Sequence, residues 1–91
     1  LRSFFGVLVI AGHETTSNLM TWTLFNLCNN PDVCRRLEDE VDSVLHDGEE
    51  LNFSTLSLLT YTELVLKESL RLHQPVPAIV RTTIEDNTLT S

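Results

Sequence analysis

The chain has 91 residues, of which 42% are hydrophobic and 21% charged, and its formal net charge is −7. This composition suits one small domain at most, and it excludes disordered and disulfide-rich classes of protein. The excess of acid argues against a nucleic-acid partner, because phosphate binding requires clustered Lys and Arg. Most of the acid lies between residues 32 and 50, where it predicts a solvated helix face followed by a polar loop.

The first predicted element is one long helix over residues 3–29. Its apolar residues recur near a period of 3.6 and cover almost the whole circumference. A helix of this kind is usually buried inside something larger than 91 residues. The alternative for residues 7–10 is a strand, because Val and Ile dominate this stretch and a Gly follows it. The apolar run 4–12 is too short to cross a bilayer, which needs about 20 residues.

A second helix is predicted over residues 31–46, with Asn30 as its cap and Pro31 at its first position. Apolar residues repeat along it at i+4 spacing, as expected for an amphipathic helix. Residues 52–59 then predict a short helical turn.

A third main helix is predicted over residues 59–73, supported by Glu63 and Lys67 at i,i+4. Pro75 and Pro77 end it. Residues 78–83 and 88–91 then predict one or two short β-strands. The sequence therefore indicates a mainly α chain.

Two cysteines, Cys28 and Cys34, have a spacing that matches neither a disulfide framework nor a zinc site. They predict free thiols, buried or half-buried, in a reducing compartment. The chain begins at Leu1 rather than Met, without the flanks of a signal peptide, and ends in a Thr-rich stretch. Both termini are therefore predicted to be truncated.

A polar segment, Ala11 to Thr16, interrupts the apolar helix with a Gly, an acid and two hydroxyls. It is not a zinc-protease motif, because Ser17 stands where the second His is required. It is not a phosphate-binding loop either, since no Lys follows Gly12. A polar segment in an apolar helix is typical of a helix that lines a cavity or faces a ligand. The alternative is that these side chains simply reach solvent.

A second segment, Glu68 to Arg71, places an acid and a base at i,i+3 on the third main helix. Such a pair alone usually indicates a surface ion pair. In this order, however, Ala11-Gly12-x-Glu14-Thr15-Thr16 and Glu68-x-x-Arg71, followed by a Pro-rich exit, resemble the cytochrome P450 family of haem-thiolate monooxygenases. The resemblance implies a fragment of that family's fold: the distal helix, the Glu-x-x-Arg helix, the elements between them and the first strands.

The resemblance also implies roles for the first segment. Ala11, Gly12 and Thr15 are expected to bind the haem cofactor from the distal side, with Gly12 allowing close approach and a local opening of the helix holding water. Thr15 is expected to hydrogen-bond the oxygen bound there, and Glu14 to belong to the route that delivers protons. Glu14 and Thr15 are thus the candidate catalytic residues, which fits general acid catalysis by groups within about 3 Å or one water.

Further roles follow from the resemblance for the second segment and its exit. Glu68 and Arg71 are expected to be buried and structural, in a network completed by a later segment. Arg81 is either a partner of a haem propionate or a solvated residue. Three apolar residues border the substrate pocket or belong to ordinary core packing: Val76, Ala78 and Ile79. His73 stands where relatives often have an aromatic or other large residue, and no metal role is expected.

The family's haem-ligand cysteine loop has no match here, so no residue is predicted to bind the metal. The parent protein is expected to insert one oxygen atom from O2 into an apolar substrate such as a lipid, sterol, fatty acid or xenobiotic. NADPH-derived electrons would arrive through a reductase, at the cytoplasmic face of the endoplasmic reticulum membrane, with any anchor in a missing N-terminal segment. The 91 residues alone are expected to be inactive. The alternative is a small acidic helical module that binds another protein.

Overall fold

The computed structural model describes residues 1–46 and 48–88. Four helices form in this part of the chain: α1 (Arg2–Asn29), α2 (Pro31–Val44), α3 (Phe53–Leu56) and α4 (Thr60–Leu72). The mainly α class is confirmed. Residues 7–10, for which a strand was the alternative, lie inside α1, because a helix satisfies its backbone hydrogen bonds within the segment whereas a strand needs a partner.

Helix α1 carries side chains that hydrogen-bond back to the carbonyl four residues earlier. The hydroxyls of Thr15, Ser17, Thr21 and Thr23 each donate such a bond, at 2.6–2.8 Å. These four hydroxyl groups therefore have hydrogen-bond acceptors within α1 itself, which explains how a polar stretch fits an otherwise apolar helix.

Asn30 is the cap residue of α2, as predicted, and its backbone carbonyl accepts from the N–H of Cys34 at 3.1 Å. Its side chain makes no capping bond to α2; its Nδ2 donates instead to the carbonyl of Asn26, at 2.8 Å. Pro31 does stand at the start of α2, where its missing N–H has no cost. The side-chain amide of Asn30 therefore caps the end of α1 and makes no bond to the start of α2.

Helix α3 is a single turn with a well-formed start. The Asn52 carboxamide oxygen accepts from the N–H groups of Ser54 and Thr55, and the Thr55 hydroxyl accepts from the Asn52 N–H at 2.8 Å. These reciprocal bonds form a capping box. The turn brings the chain back toward α2 at the beginning of α4.

Beyond α4 the chain runs without regular secondary structure to residue 88, and it is exposed from Val76 onward. The strand predicted over 78–83 does not form within the described residues, because no neighbouring segment there offers the ladder of hydrogen bonds that a strand requires. Residues 89–91 of the other predicted strand lie outside the described residues.

The helices pack with α1 against α4 and α2, and with α2 against α4. Among the described residues no hydrophobic side chain is buried; the two buried residues are Thr23 on α1, 8% exposed, and Ser69 on α4, 2% exposed. Residues 1–14 are exposed throughout, so the packed part of α1 begins at Thr15. None of these helices is long and apolar enough to cross a membrane.

Candidate active site

The polar segment of α1 lies at the boundary between the exposed and the packed part of that helix. The Thr15 side chain is half-buried, and its Oγ1 donates to the carbonyl oxygen of Ala11 at 2.7 Å. Helix α1 is continuous through this segment, so the expected local opening is not found here. A Cβ added at Gly12 would meet no atom of the described residues within 4 Å, so the surface of α1 is open there.

Glu14 and Thr16 are exposed. Among the described residues, neither side chain forms a hydrogen bond or ion pair. In this chain the Glu14 carboxylate therefore reaches solvent, as the alternative interpretation of the segment held. An exposed acid next to a half-buried hydroxyl can still exchange protons with water, which is the requirement for a proton relay.

One open depression of about 650 Å3 brings the two sequence motifs together. Thr15 of the first motif and Arg71 of the second both line it. The other lining residues come from α4 and from the chain that leaves it: Lys67, Leu70, Gln74, Pro75 and Val76. We call this surface the Thr15 depression. Val76 is the one predicted pocket residue that it includes.

Glu68 and Arg71 form a bidentate ion pair, with Arg71 Nε and Nη2 at 2.8 and 2.6 Å from the Glu68 carboxylate oxygens. The hydrogen bond from Arg71 lowers the pKa of Glu68, and the same bond raises the pKa of Arg71. The side chains are 56% and 66% exposed, not buried as the resemblance implies, because no described residue packs over them. The pair lies between two concavities: Glu68 lines a groove among α1, α2 and α4, and Arg71 lines the Thr15 depression.

The remaining predicted residues lie apart from this depression. Ala78, Ile79 and Arg81 are exposed on the irregular segment after α4, and Arg81 forms no ion pair with any described residue. Ala11 is also exposed and contributes its backbone carbonyl rather than its side chain.

Glu40 has a role that the sequence did not reveal. Its carboxylate lies at the start of α4 and accepts from the N–H groups of Tyr61 and Thr62, at 2.7 and 2.8 Å. The hydroxyls of Thr60 and Thr62 donate to it as well, at 3.2 and 2.9 Å. Partial burial raises the pKa of Glu40, but these four bonds outweigh it and hold the pKa below its ordinary value. Residue 40 follows Leu37 by three positions, on the inward face of α2; that spacing was the available signal.

Two aromatic contacts were also missed. The rings of Trp22 on α1 and His73 at the end of α4 stack with centroids 3.8 Å apart and planes 10° apart. The Arg36 guanidinium of α2 lies 4.2 Å from the ring centre of Tyr61 on α4. Both join residues distant in sequence, so no local pattern indicates them.

The cysteines differ from each other. Cys34 is half-buried as expected, whereas Cys28 is exposed because its side of α1 has no neighbour among the described residues. Burial raises the pKa of the Cys34 thiol, as does the Glu38 carboxylate, whose oxygen lies 3.7 Å from Sγ. A thiol with a raised pKa is a poor thiolate ligand. No cluster of His, Cys, Asp and Glu able to hold a metal occurs in the described part of the chain.

Comparison with known proteins decides the family. The sequence profile described as Cytochrome P450 matches residues 1–91. The chain belongs to the cytochrome P450 family. It is 43% identical over 82 residues to the probable cytochrome P450 6a14 of Drosophila melanogaster, a match that covers 88% of this chain and 16% of the relative.

Other relatives give the same result. The self-sufficient cytochrome P450 monooxygenase CYP505E3 of Aspergillus terreus is 46% identical over 74 residues, covering 81% of this chain and 7% of that protein. The chloroplastic cytochrome P450 97B1 of Pisum sativum is 38% identical over 89 residues, covering 98% of this chain and 16% of the relative. The chain thus spans about a sixth or less of these relatives. No solved structure matches it.

Membership of this family implies a haem, so the residues present can be tested against it. The open surface at Gly12 and the half-buried Thr15 suit a flat group approaching α1 from one side. An axial thiolate is a different matter. Cys28 lies 13 positions after Thr15 (28 − 15) on one straight helix, about 20 Å away along its axis, too far to ligate a group that Thr15 faces. The described residues near Thr15 therefore suit one side of a haem site, and Cys28 does not suit the position of its axial ligand.

Proposed function

We propose that this chain is part of a haem-dependent monooxygenase that inserts one oxygen atom from O2 into an apolar substrate such as a lipid, sterol, fatty acid or xenobiotic. The observation that carries this proposal is the Thr15 depression, where the two separate motifs meet. Since the chain covers only 16% of its relative from Drosophila, the activity belongs to the whole protein. The 91 residues alone are proposed to be inactive and to bind no haem specifically.

Thr15 and Glu14 are the proposed catalytic residues. The haem, when bound, supplies the activation of oxygen. The Thr15 hydroxyl donates a hydrogen bond to the Ala11 carbonyl, which fixes its rotamer and leaves its oxygen lone pairs free to accept a hydrogen bond from water. Rotation away from Ala11 would turn it into a donor toward a ligand above α1. The adjacent Glu14, exposed to water, would replenish the proton, so the pair forms a short relay.

The other residues are proposed to hold this relay in place. The Glu68–Arg71 pair is proposed to belong to the scaffold, because its bidentate geometry links two side chains within the last turn of α4. Ala11 and Gly12 would face the cofactor, and Arg81 would pair with a haem propionate. Leu70, Pro75 and Val76 give the Thr15 depression apolar walls, which suits an apolar substrate. Ala78 and Ile79 are proposed to extend those walls in the whole protein.

The electron supply and the location are proposed from the family. Electrons from NADPH would pass through a reductase; the Aspergillus relative is named as a self-sufficient monooxygenase. We propose the endoplasmic reticulum membrane as the location. The relative from Pisum is named as chloroplastic, so fractionation of cells that express the full protein discriminates between these two membranes.

The test is a carbon monoxide difference spectrum of the reduced full-length protein, followed by incubation with NADPH, a reductase, O2 and a fatty acid. The expected result is a thiolate-type spectrum and a hydroxylated product that carries one atom of labelled O2. A full-length protein with no such spectrum would overturn the proposal. The isolated 91-residue chain is the matched negative control, and a thiolate-type spectrum from it would contradict its proposed inactivity.

A second candidate function is a small acidic helical module that docks on another protein. The exposed apolar surface of residues 4–10 favours it, since surfaces of this kind mark interaction sites. This candidate requires the 91-residue chain to unfold cooperatively as a defined monomer or oligomer. A broad, non-cooperative melt with binding of a hydrophobic dye is the result that the monooxygenase proposal expects.

A further inference from the structure

The stacked pair Trp22 and His73, which we call the aromatic stack, connects the middle of α1 with the end of α4. The ring planes differ by only 10°. Trp22 also contacts Phe25 edge-on, with ring centres 5.7 Å apart, but Phe25 belongs to α1 itself. Of these two aromatic contacts, the one with His73 therefore connects α1 with the end of α4.

The aromatic stack lies beside the Thr15 depression. Trp22 follows Thr15 by seven positions (22 − 15), which is two turns of the same helix, and residues at this spacing share a face. His73 is the first residue after α4, and the next three residues, Gln74, Pro75 and Val76, all line the depression. Gln74, Pro75 and Val76 thus form one wall of the depression, which begins directly after the residue that stacks on Trp22.

Few other contacts hold this wall. The backbone N–H of His73 donates to Ser69 at 2.9 Å, but no hydrogen bond among the described residues involves Gln74, Pro75 or Val76. Val76 is 57% exposed. Pro75 has a fixed φ and restricts Gln74, the residue before it, to extended backbone. These restraints limit the paths that the chain can take from His73 to Val76, so a contact that holds His73 also limits where Val76 can lie.

We infer that the aromatic stack of Trp22 and His73 positions Pro75 and Val76 beside Thr15, and thereby helps determine which carbon of an apolar substrate is oxidised. This inference rests on the proposed monooxygenase function. His73 is here a positioning residue, since it acts through Pro75 and Val76 and does not line the depression itself.

The test uses the full-length protein and the distribution of hydroxylated products from one long-chain fatty acid. His73→Leu keeps the bulk and removes the ring, whereas His73→Phe keeps an aromatic ring that stacks on Trp22. For His73→Leu we expect the ratio of products to change by about tenfold, since pocket contacts of this size discriminate by roughly 10–200-fold. His73→Phe is expected to keep the ratio within about twofold. Phe25→Ala, which removes an aromatic contact of Trp22 within α1, is the matched control and is expected to leave the ratio unchanged.

Each outcome has a distinct meaning. A wild-type protein without the thiolate-type spectrum overturns both the proposed function and this inference. A normal spectrum with the same product ratio in His73→Leu and wild type overturns the inference alone. Equal changes in the Leu and Phe variants also overturn it, because the ring would then not be the feature that matters. If His73→Leu does not fold, Trp22→Phe against Trp22→Leu makes the same comparison from the side of α1, with the same expected difference in product ratio.

Discussion

The first half of α1 and the junction between α2 and α4 differ in the kind of surface they present and in the contacts they make. Residues 4–10 are almost wholly apolar, yet their large side chains are 53–67% exposed. The junction, in contrast, lies next to the most acidic part of the chain and is joined by the four hydrogen bonds of Glu40 and by Arg36 over Tyr61. Among the described residues, polar contacts of Glu40 and Arg36 connect α2 with α4, whereas the apolar side chains of residues 4–10 are exposed.

The difference shows what each kind of contact contributes. Burial of apolar surface is the main driving force of folding, but it is not directional. A carboxylate that accepts from two backbone N–H groups fixes both a position and an orientation. The α2–α4 junction is thus defined within the chain, whereas the first half of α1 depends on a surface that a larger domain would provide.

The largest effect is expected at Thr15, where the exposed first half of α1 meets the packed part of the same helix. Replacing Thr15 by Ala in the full-length protein removes the hydroxyl of the proposed relay, and we expect oxygenation to fall by about 100-fold. Thr15→Ser keeps a hydroxyl and is expected to retain most of the rate, and Thr16→Ala should behave as wild type because Thr16 is exposed. The measurement is the rate at which the oxygenated product forms. Equal rates for Thr15→Ala and Thr15→Ser would contradict the role of the hydroxyl.

The next effect tests the α2–α4 junction. Glu40→Gln removes the charge that accepts from Tyr61 and Thr62, so in the full-length protein we expect exchange of these two amide hydrogens to become about tenfold faster. Glu38→Gln, two residues away and without a bond to α4, is the matched control. Unchanged exchange in Glu40→Gln would show that packing alone holds α4.

The same junction is expected to depend on pH. The pKa of Glu40 is lower in the folded chain than its ordinary value, so the stabilisation is fully present above that ordinary value and is lost as the pH falls through the lowered pKa. Protection of the Tyr61 and Thr62 amides should decrease over that acidic window in wild type, after correction for intrinsic exchange. In Glu40→Gln the same window should show a smaller decrease. A pH profile identical in the two proteins would exclude Glu40 as the titrating group.

A smaller effect is expected from the exposed half of α1. In the isolated 91-residue chain, replacing Phe4, Val7 and Leu8 by Gln is expected to lower the fluorescence of a bound hydrophobic dye by about threefold, because it interrupts a continuous apolar surface. The control replaces three exposed apolar residues that lie apart from α1: Leu51, Phe53 and Ile84. An equal decrease in both variants would mean that the dye does not distinguish the surface of α1.

The smallest effect is expected at Lys67. Its ammonium lies 2.6 Å from Glu63, but the side chains are 66% and 63% exposed. Lys67→Ala should change the free energy of unfolding by no more than about 0.5 kcal/mol, the range of exposed i,i+4 pairs. Denaturant unfolding of the full-length protein measures it. A loss well above that range would indicate that Lys67, which also lines the Thr15 depression, packs against a further segment.

Local patterns accounted for most of the fold. The period of 3.6 in α1, the i+4 repeat in α2, Pro31 at the start of α2 and the prolines after α4 all act within one turn or a few residues, so the sequence carries them directly. The bounds of α4, Thr60–Leu72, lie one residue inside the predicted ends. Asn30 is the cap residue of α2 as predicted, but its side chain bonds to Asn26 of α1, because a carboxamide between two helices can bond to either one.

The candidate site divides in the same way. The motifs at 11–16 and 68–71 identified the family, because residue types and their order can be read directly from the sequence. The profile match to residues 1–91 confirmed the family. Glu40 was predicted as part of a solvated face, since acidic residues on an amphipathic helix usually are. For Glu68 and Arg71, the local spacing indicated a surface pair and the resemblance implied a buried one; the sequence alone could not choose, because burial depends on what packs over a pair and not on the pair itself.

The sequence by itself determined the helices, the family and the identity of the polar segment, since these follow from contacts between near neighbours along the chain and from residue order. Only the tertiary structure decided that Thr15 and Arg71 border one depression, that Glu40 holds the start of α4, and that His73 stacks on Trp22. Each of these contacts joins residues at least 20 positions apart. Their formation depends on how α1, α2 and α4 cross, and that arrangement is a property of the packed helices rather than of any one of them.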